Sequence, residues 1–190
     1  MTRAIAVFDF DGTLVTGDSL PSFVACCTGW PRTLLTAFAA ALVTCRAADR
    51  RTAFKALWLR WSFRNFPLAK IPPALGRLRG KLRWIEQTRA RLHWHKARGD
   101  VIVVASGGLD LYLPFILADA PPDHLLCTGM EAVNGRLTGA MRHGNCVREE
   151  KARRVAELLA KLQPHGEVWA YGNAPHDLPM LNLADHKTLI

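Results

Sequence analysis

Ala4-Ile5-Ala6-Val7-Phe8-Asp9-Phe10-Asp11-Gly12-Thr13 sets an apolar run against two acids and a turn signal. The run reads as a short buried strand over residues 4–10, closed by Asp11-Gly12. Three later segments repeat the theme. Val101–Ala105 ends at Ser106-Gly107-Gly108, His124–Met130 is a further apolar run, and Glu167–Tyr171 ends at Gly172. Short apolar strands alternating with helical stretches predict an α/β fold, a parallel sheet with helices on both faces.

About ninety residues separate the first two strands, far more than one crossover helix requires. They read as helices over roughly 21–45, 50–66, 68–80 and 83–98, punctuated by Pro67, Pro72-Pro73 and Gly80. The surplus predicts an all-helical cap over 18–85, inserted in a core made of 1–17 and 86–190. Further on, a helix is expected over Leu109–Asp119 and a hairpin arm over 135–141. Glu149–Leu162 is amphipathic, with Val155, Leu158, Leu159 and Leu162 on one side.

The 190 residues carry 25 Lys+Arg and 16 Asp+Glu, a formal charge of +9, with 49% apolar and 22% charged residues. Those proportions suit a globular protein with ample core and exclude a disordered chain. The charge is uneven. Residues 46–98 hold 15 bases and two acids, a surplus of +13, and the remainder nets −4. A uniformly basic nucleic-acid-binding protein would not be divided this way. The five cysteines are odd in number and form no C-x-x-C pair, which argues against a disulfide scaffold or thiolate zinc site and fits a reducing cytosol. The first residues run straight into Asp9 and Asp11, unlike a signal peptide. The longest strongly apolar stretch, Thr33–Cys45, has 13 residues, against about 20 for a spanning helix.

Four groups of residues carry chemistry. Asp9 and Asp11 lie at a strand's C-terminal end, where open α/β sheets place ligands. One could serve as nucleophile or metal ligand and the other, on the same side, as general acid/base; an Asx-turn capped by Asp11 is the structural alternative. Ser106 and Gly107 offer a hydroxyl and backbone N–H groups for a phosphate, although Ser-Gly-Gly is also an ordinary turn. Lys151 could neutralise a phosphate and a neighbouring carboxylate, or stand solvated at the start of its helix. Asn173 and Asp177 offer oxygens to a hard cation such as Mg²⁺, or cap the helix that follows.

In this order, each at a strand end or helix start, Asp9-Phe10-Asp11-Gly12-Thr13-Leu14, Val104-Ala105-Ser106-Gly107-Gly108, Lys151 and Gly172-(x)4-Asp177 resemble the haloacid-dehalogenase superfamily along essentially the whole chain. The chain looks like the phosphoserine-phosphatase-like branch, with its Rossmann-like core and helical cap between the first and second motifs. The resemblance implies a phosphoric monoester hydrolase. Asp9 would take the phosphoryl group as an aspartyl-phosphate, and Asp11 would protonate the leaving oxygen and then activate water. Ser106, Gly107 and Lys151 would bind the phosphoryl oxygens. Mg²⁺ would be held by Asp9, the Asp11 carbonyl and the loop with Asn173 and Asp177. The family usually has an acid where this chain has Asn173, which implies weaker metal binding, a shift of the ligand role to Asp177, or a catalytically weakened relative that binds phosphate or membrane. Transfer to another alcohol in place of water is a further reading. Relatives also usually continue through an edge strand where this chain reads Thr188-Leu189-Ile190.

Asp18 stands where phosphoserine phosphatases carry a glutamate that reads the substrate amine, and Asp18-Ser19 also reads as a helix cap. Four of six tryptophans (Trp58, Trp61, Trp84, Trp94) fall in the +13 segment. That texture suits an anionic membrane surface and resembles the bacterial phosphatidylglycerophosphate phosphatases; a core role for the tryptophans, with solvated arginines, is the alternative. The expected partners are a small phosphorylated substrate and peripheral contact with an anionic membrane, not nucleic acid, and the expected location is cytoplasmic or at the inner membrane surface. His93-x-His95 reads as helix surface and Cys26-Cys27 as core.

Overall fold

A computed structural model describes residues 2–190. The first strand, β1 (Ile5–Phe8), lies between β3 (Val101–Leu109) and β6 (Val168–Gly172), parallel to both, with Ile5 opposite Val101 and Val168. β4 (His124–Val133) joins the far side of β3, and β7 (His186–Leu189) the far side of β6, also parallel. Beyond β4 the sheet turns antiparallel through β5 (Arg136–Arg142) and the two-residue β2 (Phe66–Pro67). The expected sheet is therefore present as a five-strand parallel body with an antiparallel arm, in the order β2-β5-β4-β3-β1-β6-β7.

Strand pleating explains why these runs are apolar throughout. Ile5 and Val7 point to one face, where Val155 and Leu159 of α7 (Arg148–Lys161) cover them; Ala6 and Phe8 point to the other, against Leu92 of α5 (Glu86–Arg98). A face left to water would have called for alternating polar residues.

Four helices lie between β1 and α5: α1 (Ser19–Thr28), α2 (Trp30–Thr44), α3 (Arg50–Phe63) and α4 (Ile71–Arg79). The single helix expected over 21–45 is two. Gly29 at φ 84° lies in the left-handed region and breaks it, and Pro31 opens the next helix. The Asp18 side chain accepts from the Leu20 amide at 3.0 Å, the cap its alternative reading anticipated.

Two further expectations need correction. β3 runs on through Ser106-Gly107-Gly108 to Leu109, so the helix expected over Leu109–Asp119 shrinks to α6 (Leu113–Ile116). His95 is not on the surface: it is fully buried, with Nδ1 2.7 Å from Asp100 Oδ2 and Nε2 3.0 Å from the Tyr171 hydroxyl. Of the tryptophans in the basic segment, Trp58 is buried and Trp94 exposed. Among the described residues, no helix is long and apolar enough to cross a membrane.

Candidate active site

β1 delivers Asp9 into the centre of the sheet's C-terminal edge, where the Asp9 amide donates to the Tyr171 carbonyl at 2.9 Å. Its carboxylate is buried. Oδ2 accepts from the Thr13 hydroxyl at 3.1 Å, and Oδ1 accepts from Lys151 Nζ at 2.6 Å. The same ammonium donates to Asp177 Oδ1, also at 2.6 Å. Lys151 sits one turn into α7, and Asp177 immediately precedes α8 (Leu178–Leu181), so one cation ties two elements to the strand end. Among the readings left open for Lys151, solvated surface is the one that fails.

Burial pushes the Asp9 carboxyl up to about 6 despite the opposing pull of Lys151. Burial pushes Asp11 further, to about 7, with the charge of Asp18 adding to it. The two flanking carboxylates outweigh burial at Lys151 and hold its ammonium above the ordinary lysine range. Asp11 turns away from Asp9 toward the helical insertion, where its Oδ1 accepts from the Ser19 amide at 2.8 Å. Its carbonyl stays at the strand end and accepts from Asn173 Nδ2 at 3.0 Å.

Ser106 is fully buried, and its Oγ accepts from the Gly108 amide at 2.9 Å. Close packing requires the glycines beside it: a Cβ on Gly107 would meet Val147 Cγ1 at 2.8 Å, and one on Gly108 would meet the Tyr112 hydroxyl at 2.7 Å. All eight residues singled out in the sequence (Asp9, Asp11, Asp18, Ser106, Gly107, Lys151, Asn173 and Asp177) line one cleft of about 500 Å³.

Sequence reasoning missed the groups that the insertion brings to the same cleft. Lys55 of α3 reaches across to the Gly107 carbonyl and to Asn145 Oδ1 at 2.7 Å, and burial lowers its ammonium to about 8. Arg51 donates to His176 Nε2 at 2.6 Å, while Phe54 and Trp58, stacked with centroids 5.6 Å apart, provide an apolar wall. No local pattern distinguishes Lys55 from its basic neighbours, because its burial is a product of tertiary packing.

The donor set around Asp9 can be tested against a hard cation. Two buried carboxylates facing one ammonium leave one negative charge unmatched, and the Asp11 carbonyl and the Asn173 side-chain amide beside them add oxygens of the kind a hard cation takes. Asp9, the Asp11 carbonyl and Asn173 are placed to share an ion, provided that the Asn173 amide turns to present Oδ1. Asp177 is already committed, its Oδ1 accepting from Lys151 and its Oδ2 from the Asn173 backbone N–H at 3.0 Å, so it serves better to hold the lysine than to ligate. These oxygens are of the type a magnesium-like ion takes, while among the described residues no group of three or more His, Cys, Asp or Glu is arranged to hold a metal.

A family model described as haloacid dehalogenase-like hydrolase matches residues 6–182. No curated protein matches the chain in sequence. Among solved structures, a protein of unknown function from Bordetella pertussis Tohama I superposes with a TM-score of 0.83 at 20% identity, covering 100% of this chain and 90% of that one. A HAD family hydrolase from Salmonella enterica serovar Typhi gives 0.72 at 19% identity, covering 96% and 61%. A phospho-aspartyl intermediate analogue of phosphoserine phosphatase gives 0.68 at 20% identity, covering 100% and 87%.

Proposed function

We propose that this chain, which belongs to the haloacid dehalogenase-like hydrolase family, hydrolyses phosphoric monoesters by way of an aspartyl-phosphate on Asp9, with residues 18–85 acting as a cap over the core. The observation that carries this reading is the pair of short bonds from Lys151 to Asp9 and Asp177, which fixes a desolvated carboxylate at the floor of a cleft. A carboxylate held in one orientation and stripped of water is a competent nucleophile, and the adjacent ammonium screens the charge of an incoming phosphate.

In the first step an Asp9 oxygen bonds to phosphorus while the bond to the ester oxygen breaks. Asp11, with a carboxyl at about 7, holds a proton near neutral pH and gives it to the departing oxygen. The resulting Asp11 carboxylate then takes a proton from water, whose oxygen attacks phosphorus. Inorganic phosphate leaves and Asp9 is regenerated. Ser106, Gly107 and Lys151 steady the phosphoryl oxygens. Asp9, the Asp11 carbonyl and Asn173 would hold Mg²⁺, which supplies charge neutralisation of the transferring group when bound. The substrate is a small phosphorylated molecule or lipid phosphate that enters beneath α3.

Turnover of an aryl phosphate in the presence of Mg²⁺, abolished in Asp9→Asn, is the expected result. Activity that survives Asp9→Asn, or folded protein that is inert at every Mg²⁺ concentration, refutes the reading. The second outcome would favour a weakened phosphate-binding relative, to which Asn173 in place of an acid already points. Phosphorylated products other than inorganic phosphate, formed when an alcohol is added, would assign phosphotransfer.

A further inference from the structure

α2 is folded inside out. Its buried side is made of small groups: Thr33, Ala40 and Thr44 are buried, with Thr36 and Ala37 half-buried. Its outer side carries Trp30, Leu34, Leu35, Phe38, Leu42 and Val43, the last five 61–69% exposed. Trp30, Leu34, Phe38 and Leu42 recur every fourth residue and so form one continuous stripe.

The orientation is fixed by bonding. The Thr33, Thr36 and Thr44 hydroxyls each return to a carbonyl one turn back, at 2.8–2.9 Å, so the small face satisfies its own polar groups. That face is then tied to α3, through Trp58 Nε1 to the Thr33 carbonyl at 3.3 Å and the Thr36 hydroxyl to Ser62 Oγ at 3.1 Å. Rolling the stripe inward would break these bonds and would drive large side chains where threonine and alanine now fit.

We infer that the outer face of α2 docks on an anionic lipid surface, with the helix lying in the plane of the interface. Charge selects this occupant. No acid occurs in α2, and the stripe carries no charge between Arg32 and Arg46. Cations outnumber acids at both ends: Lys81 Nζ lies 5.7 Å from the Trp30 ring centroid, Arg32 donates to the Trp61 carbonyl, and Arg46, Arg50 and Arg51 follow the C-terminal end around the single acid Asp49. An apolar stripe with aromatic and basic flanks is the pattern that sinks into the headgroup boundary while its bases meet anionic lipids. At 1.5 Å per residue the 15-residue helix is about 22 Å long, short of the roughly 30 Å hydrocarbon core, so it cannot span. A second copy fits less well, because two chains of +9 meeting through these faces would set their cations against each other.

Flotation of the full chain with phosphatidylcholine vesicles containing about one-third phosphatidylglycerol tests this without any need for turnover. Binding is expected, weakened about tenfold or more on pure phosphatidylcholine and again by raising salt toward roughly 0.5 M. Leu35→Glu/Phe38→Glu is expected to lower the partition coefficient at least about a hundredfold, about tenfold for each large apolar side chain withdrawn. Both positions face water, so its unfolding temperature should match the wild type. Arg46→Gln/Lys81→Gln, which leaves the stripe intact, is expected to reduce binding severalfold on the anionic vesicles only. Absence of wild-type binding at low salt, or equal binding by the Leu35/Phe38 variant, overturns the assignment. Dimerisation of the wild type that this variant abolishes, with no vesicle binding, assigns the face to a second copy instead.

Discussion

Lys151→Met keeps most of the lysine's length and removes only its charge. The Lys151, Asp9 and Asp177 side chains are 5%, 6% and 3% exposed, so water can do little to replace the lost ammonium. Removing one partner of a buried ion pair costs about 3–5 kcal/mol, because the other is left uncompensated. Here two carboxylates are left. For a chain of this size that corresponds to a fall of about 6–20 °C in unfolding temperature.

The pH dependence separates this cause from a simple packing defect. Asp9 already has its carboxyl raised to about 6 by burial, against the pull of Lys151, and loss of the lysine raises it further. A carboxyl raised on folding contributes its stability below the unfolded value of about 4 and loses it as pH climbs through the folded value. The deficit of Lys151→Met should therefore be small near pH 5, where Asp9 is protonated in the variant, and full near pH 8. Adding Asp9→Asn should return part of the loss at pH 8, a coupling of about 1–3 kcal/mol. Urea unfolding in the presence of a chelator, so that no divalent cation substitutes for the ammonium, gives these numbers directly. A variant within about 1 kcal/mol of wild type at pH 8, or a deficit that does not change between pH 5 and pH 8, would refute the bridged arrangement on which the nucleophile rests.

Three further outcomes are expected. Asn173→Asp sets a carboxylate oxygen against the Asp11 carbonyl it now donates to, so the apo protein should melt lower and gain more from added Mg²⁺ than wild type; an equal Mg²⁺-induced rise in both would deny Asn173 a place at the ion. Gly139→Ala should lose several kcal/mol in urea unfolding, because its φ is 84° and a Cβ would meet Arg60 Cα at 2.7 Å; Gly144→Ala, at φ 81° with open space around it, should lose only about 1–2 kcal/mol. Burial holds the His95 imidazole below its ordinary value despite Asp100, so protonation favours the unfolded chain and this contribution fades as pH drops below about 6.5. The gap in urea midpoint between wild type and His95→Gln should accordingly be wider at pH 7.5 than at pH 5.5, and a constant gap would contradict a buried neutral imidazole.

The core was legible because its signals are local. A short apolar run marks a strand, and Asp9, Ser106 and Gly172 converge because parallel strands share one C-terminal edge; the glycines after Ser106 misplace the end of β3, which continues to Leu109. Lys151 and Asp177 are left open by their own positions near helix starts and are assigned to the site only through the family resemblance. The residues contributed by the insertion were not legible. Lys55 lies among fifteen bases, and nothing within its own helix marks it as the one that enters the cleft. The reading of His95 failed for a different reason. Thr88, Leu92 and His95 are buried at helical spacing, but with a single aliphatic among them the pattern reads as polar. In α2 the usual inference inverts, because threonines that bond their own helix make a buried face that hydropathy scores as the outer one.

The two parts of the charge then do different work. Of the fifteen bases between residues 46 and 98, Lys55 alone is buried, and twelve are exposed. Screening confines an exposed charge to about 8 Å at physiological salt, so most of these bases cannot hold a phosphoryl group at Asp9. In the proposed mechanism that task falls to Lys151, which is buried in a medium of low dielectric and bonded to Asp9 Oδ1 at 2.6 Å. A cleft serving only a small anion would need Lys55 and Arg51 from the helical insertion, and little more. The remaining surplus is better matched to an extended anionic surface, where many weakly screened contacts add, and α2 presents the apolar face such a surface would receive.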